Sequence, residues 1–170
     1  MTDDAMGKAE FETRMWKALD EVRIGMLGAV GGTPRHMQPM SGFGEPATRT
    51  IWFFMQRDND LIAQAAAAAA GGAAMFCLTS KDRNLWACLG GTLVVDRDQA
   101  VIDKYWGPVT AAWFPDGKDS PNLAVLRFDV SDAQVWVVEG GAMKFAYEIA
   151  KANLTKSEPD VGAKTELQLS

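Results

Sequence analysis

The chain has 170 residues, 48% hydrophobic and 23% charged, a balance that fits one domain with a proper core and excludes disorder. Its net charge is −5 with no basic stripe, which argues against a nucleic-acid partner, since phosphate neutralisation supplies most of such binding. No apolar run approaches the roughly 18 residues of a membrane-spanning helix, and the acidic start from Met1 to Lys8 lacks a secretory-signal layout, so a soluble, cytoplasmic protein is expected.

Residues 9–23 read as an amphipathic helix: Phe11, Met15, Leu19 and Val22 recur at helical steps, with Glu10, Glu12, Lys17 and Asp20 off the stripe. An apolar run from Ile24 to Val30, a turn at Gly31–Pro34 and a second run from Arg35 to Ser41 form a hairpin signature. Pro39 cannot donate a ladder hydrogen bond, so that strand should be at an edge or irregular there. After a loop at residues 42–48, Thr50 to Gln56 is a strand with bulk on both faces. Ile51, Phe53 and Met55 alternate with Trp52 and Phe54, which requires cover from a barrel interior and from something outside. Asp58 to Ala70 reads as a helix, capped by Asp58 or Asn59 and stopped by Gly71-Gly72.

Strands are predicted at Ala74–Thr79 and Leu85–Val95, with Gly90-Gly91 marking a bulge. A helix follows at Asp96–Trp106, then a loop-rich stretch to Asn122. A last pair of strands is expected at Leu123–Phe128 and Ala133–Val138, then a helix from Gly141 to Leu154 and a polar tail. About seven antiparallel strands with interspersed helices describe an α+β fold built on a closed barrel.

Chemistry-bearing residues are few. The single histidine, His36, and the absence of a G-x-S-x-G elbow argue against a serine hydrolase and against a histidine-rich metal site; no metal is expected. Neither common phosphate-cradling glycine loop occurs. Cys77 and Cys88 are too few and too far apart for zinc or a C-x-x-C pair, and they read as reduced, buried packing residues. Six tryptophans are many for this length. With Phe53, Phe54 and Phe114 they suit a flat aromatic ligand or a broad apolar interface.

Six segments, in order, resemble one family across nearly the whole chain. They are MWKALDEVRIGMLGAV (residues 15–30), RHMQPMS (35–41), TIWFFMQRDNDL (50–61), NLWACLGGT (84–92), KYWGPVTAAWFPDGKDSPNLAVLRF (104–128) and KANLT (151–155). Together they resemble the general stress protein branch of the pyridoxamine 5′-phosphate oxidase-like FMN-binding split barrels. The resemblance implies a split barrel and a homodimer with FMN lying between the subunits. By position, Gln38, Pro39 and Met40 would line the isoalloxazine, Phe54 and Met55 would flank the ribityl chain, and Asn59 and Leu61 would stand beside the phosphate. Asn84 and Trp86 stand where a glutamine and a tyrosine are usual, and Trp113 would reach the flavin of the other subunit. Gln38 replaces an arginine of the family pattern, Leu61 a lysine and Met55 a threonine. Arg35, Arg57, Lys81 and Arg83 are the candidates to restore positive charge.

The expectation is therefore one FMN-binding split-barrel domain over residues 1–170, with 1–8 and 156–170 peripheral. Flavin-dependent oxidoreduction is the activity the resemblance implies. The alternative is a non-catalytic flavin-binding or stress-related interaction module with lost or weakened cofactor binding, favoured by the altered phosphate positions. Both readings stay open at this point.

Overall fold

The computed structural model describes residues 7–31, 36–67 and 71–169. The predicted turn at 31–34 and the end of the alanine run at 68–70 fall largely outside that set. Helix α1 (Lys8–Val22) buries Phe11, Met15, Trp16, Ala18 and Leu19. It stops where Arg23 adopts a left-handed conformation (φ 61°) and returns its N–H to the Leu19 carbonyl.

Among the described residues, six strands close a barrel: β1 (Ile24–Ala29), β2 (Gln38–Glu45), β3 (Thr50–Gln56), β4 (Gly72–Thr79), β5 (Leu85–Val95) and β6 (Leu123–Val138). Their order is β3-β2-β1-β4-β5-β6, all antiparallel, and β3 pairs back onto β6. Strand β2 runs past the predicted loop start. Gly42 and Gly44 belong to it because side chains there would meet Ile51 and Leu19 at 2.9 and 2.8 Å, so small residues let β3 and α1 approach. Pro39 is tolerated for a definable reason. Gly42 N–H donates to the Arg23 carbonyl, so by antiparallel alternation the Pro39–Met26 pair is a non-hydrogen-bonded one. The donor proline lacks is not needed there.

Strand β3 is covered twice, as its pattern requires. Ile51, Phe53 and Met55 face the barrel core with Phe76, Leu89, Leu126 and Phe128. Trp52 packs on the outside with Val101, Ile102 and Phe114. Those residues come from α3 (Gln99–Tyr105) and the chain around α4 (Pro108–Trp113). Helix α3 is shorter than predicted because the Asp98 carboxylate accepts from Ala100 N–H and sets its start. Helix α4 lies in a stretch expected to be loop, begun by a proline at its first turn.

Three further expectations are corrected. The last pair of strands is one continuous strand, β6, of 16 residues. The glycine pair meets it at a register shift: Gly90 faces Asp132 and Gly91 faces Val130, leaving Ser131 as the extra residue. The tail is not peripheral throughout. After α5 (Gly141–Thr155), β7 (Gly162–Gln168) adds to β6, with Thr165, Leu167 and Leu169 buried. Its single apolar face alternates with Lys164, Glu166 and Gln168, too brief a period-2 signal to stand out in a polar segment. Finally, Cys77 and Cys88 are not buried core residues; both are partly exposed. They point away from Leu78 and Ala87, which fill the barrel.

Candidate functional site

The Gln38 and Asn59 side chains bond reciprocally. Gln38 Nε2 donates to Asn59 Oδ1 at 3.1 Å, and Asn59 Nδ2 donates to Gln38 Oε1 at 2.8 Å. Asn59 also caps helix α2 (Asp60–Ala66), accepting from Leu61 N–H at 2.9 Å. The amide pair thus ties the start of β2 to the start of α2.

Beside it opens a cavity of about 650 Å³, within the usual range for small-molecule sites. Its walls come from β2, β3 and the α3–α4 region. Pro39, Met40, Phe54, Met55, Asn59 and Trp113 all line it, bringing together six of the sequence-predicted site residues. Phe43 adds an aromatic floor, stacked on Tyr105 at 4.7 Å and edge-on to Phe54 at 5.6 Å. Ser41, Gln56 and Thr110 supply polar atoms among this apolar surface. Gln56 Nε2 donates to the Trp113 carbonyl at 3.1 Å, holding the end of α4 at the rim.

The other predicted residues lie elsewhere. Gln38 is next to the cavity through Asn59 rather than in its wall. The Leu61 side chain points into the barrel core and is 2% exposed. Asn84 sits in the β4–β5 turn, donating to Asp82 at 2.6 Å, and Trp86 follows on the outer face of β5. Neither lines the cavity of its own chain. Arg57 is spent on the Pro121 and Leu123 carbonyls, Lys81 and Arg83 share the turn with Asn84, and Arg35 falls outside the described residues.

Sequence reasoning missed Arg23. Among the described residues it is the one lining side chain with a full charge, its guanidinium 5.3 Å from the centre of the Phe43 ring. Its left-handed helix-end position turns it toward the cavity, and a residue read only as the end of an amphipathic stripe gives no sign of that. At about 3.3 Å per residue, Gln38 and Phe43 stand roughly 17 Å apart along β2. The amide pair and Arg23 therefore mark opposite ends of an elongated site.

Tyr105 is fixed by Glu45, whose Oε1 accepts from Lys104 Nζ at 2.7 Å and from Tyr105 Oη at 2.8 Å. The Lys104 hydrogen bond, with help from Tyr105, holds the Glu45 carboxyl below its ordinary range. Burial first, and then Glu45, push the Tyr105 phenol upward, so it stays protonated near neutrality. A lowered folded-state pKa stabilises above the unfolded value of 4.5 and loses that contribution as pH falls through the folded value. Glu45→Gln should therefore melt below wild type at pH 7, and the gap should narrow as pH falls below 4.5. A gap that persists unchanged in acid would mean that ionised Glu45 does not hold α3 in place.

The donors present fit a flavin in part. An apolar, aromatic wall suits the ring, and amides and hydroxyls suit the ring edge and a polyol. The amide pair at the Asn59 end is neutral where an anionic group would favour charge. Residues 10–160 match the family model described as pyridoxamine 5′-phosphate oxidase like. The chain belongs to this family. No curated protein matches the sequence. Among solved structures, this family member is similar to a protein of Jannaschia sp. CCS1 provisionally named general stress protein 26, with 34% identity, 95% of this chain and 99% of that chain covered, and a TM-score of 0.78. It is similar to a general stress FMN/FAD binding protein of Xanthomonas citri, at 38% identity, 79% and 93% coverage and a TM-score of 0.71. A third, from Xanthomonas campestris pv. campestris and provisionally named a general stress family protein, shows 38% identity, 80% and 92% coverage and a TM-score of 0.72. The fold of these pyridoxamine 5′-phosphate oxidase-like proteins is the split barrel described above. Among the described residues no helix is long and apolar enough to cross a membrane.

Proposed function

We propose that this protein binds flavin mononucleotide in the cavity, between two copies of the chain, and acts through that flavin. What carries the reading is the elongated aromatic cavity formed by Pro39, Met40, Phe43, Phe54, Met55 and Tyr105 in a chain of this family. Pro39 and Met40 hold the isoalloxazine, Phe54 and Met55 flank the ribityl chain, and Asn59 stands at the phosphate. Arg23 lies at the end of the cavity away from Asn59, where its cation would favour an anionic part of the ligand. When bound, the flavin supplies electron-transfer chemistry; the protein orients it and limits water. Ile24, Val109 and Trp113 rim the cavity at 57%, 75% and 69% exposure. Apolar side chains left in water around an apolar cavity support a second copy as the lid.

A second reading, a flavin holder without turnover, is favoured by one observation. Apart from Arg23 and the protonated Tyr105, no titratable side chain among the described residues lines the cavity, so nothing there serves as a general base near neutrality. Flavin titration followed by absorbance, with sedimentation at micromolar protein, tests the proposal. Stoichiometric binding by a dimer is expected. A monomer that binds neither FMN nor FAD would overturn it. Oxidation of NADH or NADPH by the loaded dimer, or its absence, divides the enzyme from the holder.

A further inference from the structure

Cys77 and Cys88 stand directly opposite each other on β4 and β5. The hairpin end decides what kind of pair they make. Ser80 N–H donates to the Leu85 carbonyl, so alternation makes Thr79–Trp86 a non-bonded pair, Leu78–Ala87 a bonded one, and Cys77–Cys88 non-bonded again. Non-bonded pairs bring Cα atoms to about 4.5 Å, with side chains at their closest. That separation lies inside the roughly 4.4–6.8 Å a disulfide spans. The side chains are already turned toward one another, with Sγ atoms 3.0 Å apart.

The two thiols differ in access. Cys88 lines a surface groove of about 560 Å³ beside the Gly90–Gly91 bulge, along with Ser131, Asp132 and Gln134, whereas Cys77 is not part of its wall. Burial, then the neighbouring Cys88 sulfur, pushes the Cys77 thiol up to about 12. Cys77 therefore keeps its proton and can donate it toward Cys88.

We propose that Cys77 and Cys88 form a dithiol modification site, which a hydroperoxide reaching the groove converts to an intrachain cross-strand disulfide. The Cys88 thiolate, its proton released to solvent, attacks one peroxide oxygen. The O–O bond breaks, and the leaving oxygen takes the Cys77 proton and departs as water, or as an alcohol from an organic hydroperoxide. The Cys77 thiolate then attacks the Cys88 sulfenic sulfur. The S–O bond breaks, and the hydroxide released takes a proton from solvent. Two thiols and one hydrogen peroxide thus become one disulfide and two waters.

The test treats the reduced full-length protein with stoichiometric hydrogen peroxide, alkylates remaining thiols and maps peptides without reduction. The expected product is two hydrogens lighter, has lost both alkylation sites, yields a peptide joining residues 77 and 88, and reverts with dithiothreitol. Cys77→Ser should accumulate a dimedone-trappable sulfenic acid at Cys88, and Cys88→Ser should leave Cys77 largely unreacted. Wild-type mapping stands even if a variant folds poorly. Oxygen adducts without the joined peptide, disulfide-linked dimers, resistance of both thiols, or faster reaction at Cys77 would each overturn the proposal.

Discussion

Leu61→Lys should destabilise the protein by about 3–5 kcal/mol, the sum of a lost core side chain and an ammonium drawn toward an apolar interior. For a domain of this size that is a fall in Tm of roughly 6–20 °C. Alignment with the family pattern puts a lysine here, so by sequence alone the same change restores a phosphate ligand. The structure points the other way. Asn59 caps α2, which places Leu61, Ile62 and Ala65 on the face buried against the barrel. Part of the cost is recovered if the lysine stem snorkels and its ammonium reaches water at the helix end. Thermal melts of the two proteins without added ligand decide the matter. A variant that melts with wild type and binds FMN more tightly would mean that residue 61 faces the phosphate after all.

Gln38→Arg should tighten FMN binding by about tenfold and leave riboflavin nearly unchanged. A hydrogen bond to a charged group contributes about 1.5–3 kcal/mol, and each 1.4 kcal/mol is about tenfold in affinity. The lower end applies because the arginine forfeits the reciprocal bonds that Gln38 makes with Asn59. Position 38 lies beside the cavity at the Asn59 end, so a cation there acts on the ligand without entering the core. Fluorescence titrations with both flavins measure the effect. Equal gains for FMN and riboflavin would mean that the phosphate lies at the other end of the site, toward Arg23.

Much of the barrel was legible in the sequence because its strands carry strong local signals. β3 announces itself through bulk on both faces, the β4–β5 hairpin through its polar turn, and the bulge through Gly90-Gly91. The ordered motifs identified the family, and with it six residues that do converge on one cavity. Local pattern did not show which backbone edges pair. Residues 129–132 of β6 look like a break because three of the four are polar, yet their backbone is held by β5 and, at Val130, by the Arg49 carbonyl. Strand β7 exists only because β6 is long enough to offer it a free edge.

Side-chain direction was the other quantity left to tertiary structure. A helix that begins one residue earlier or later turns each side chain by about 100°, since 3.6 residues make a turn. The Asn59 cap therefore decides that Leu61 is core, and the left-handed end of α1 decides that Arg23 is not. The strand period fixes that Cys77 and Cys88 alternate with the core-facing Leu78 and Ala87, but only the register of β4 on β5 sets the two sulfurs face to face. Composition and periodicity determined that this chain is a barrel with aromatic surface to spare. Pairing and register, which rest on contacts distant in sequence, decided where its charges and thiols meet.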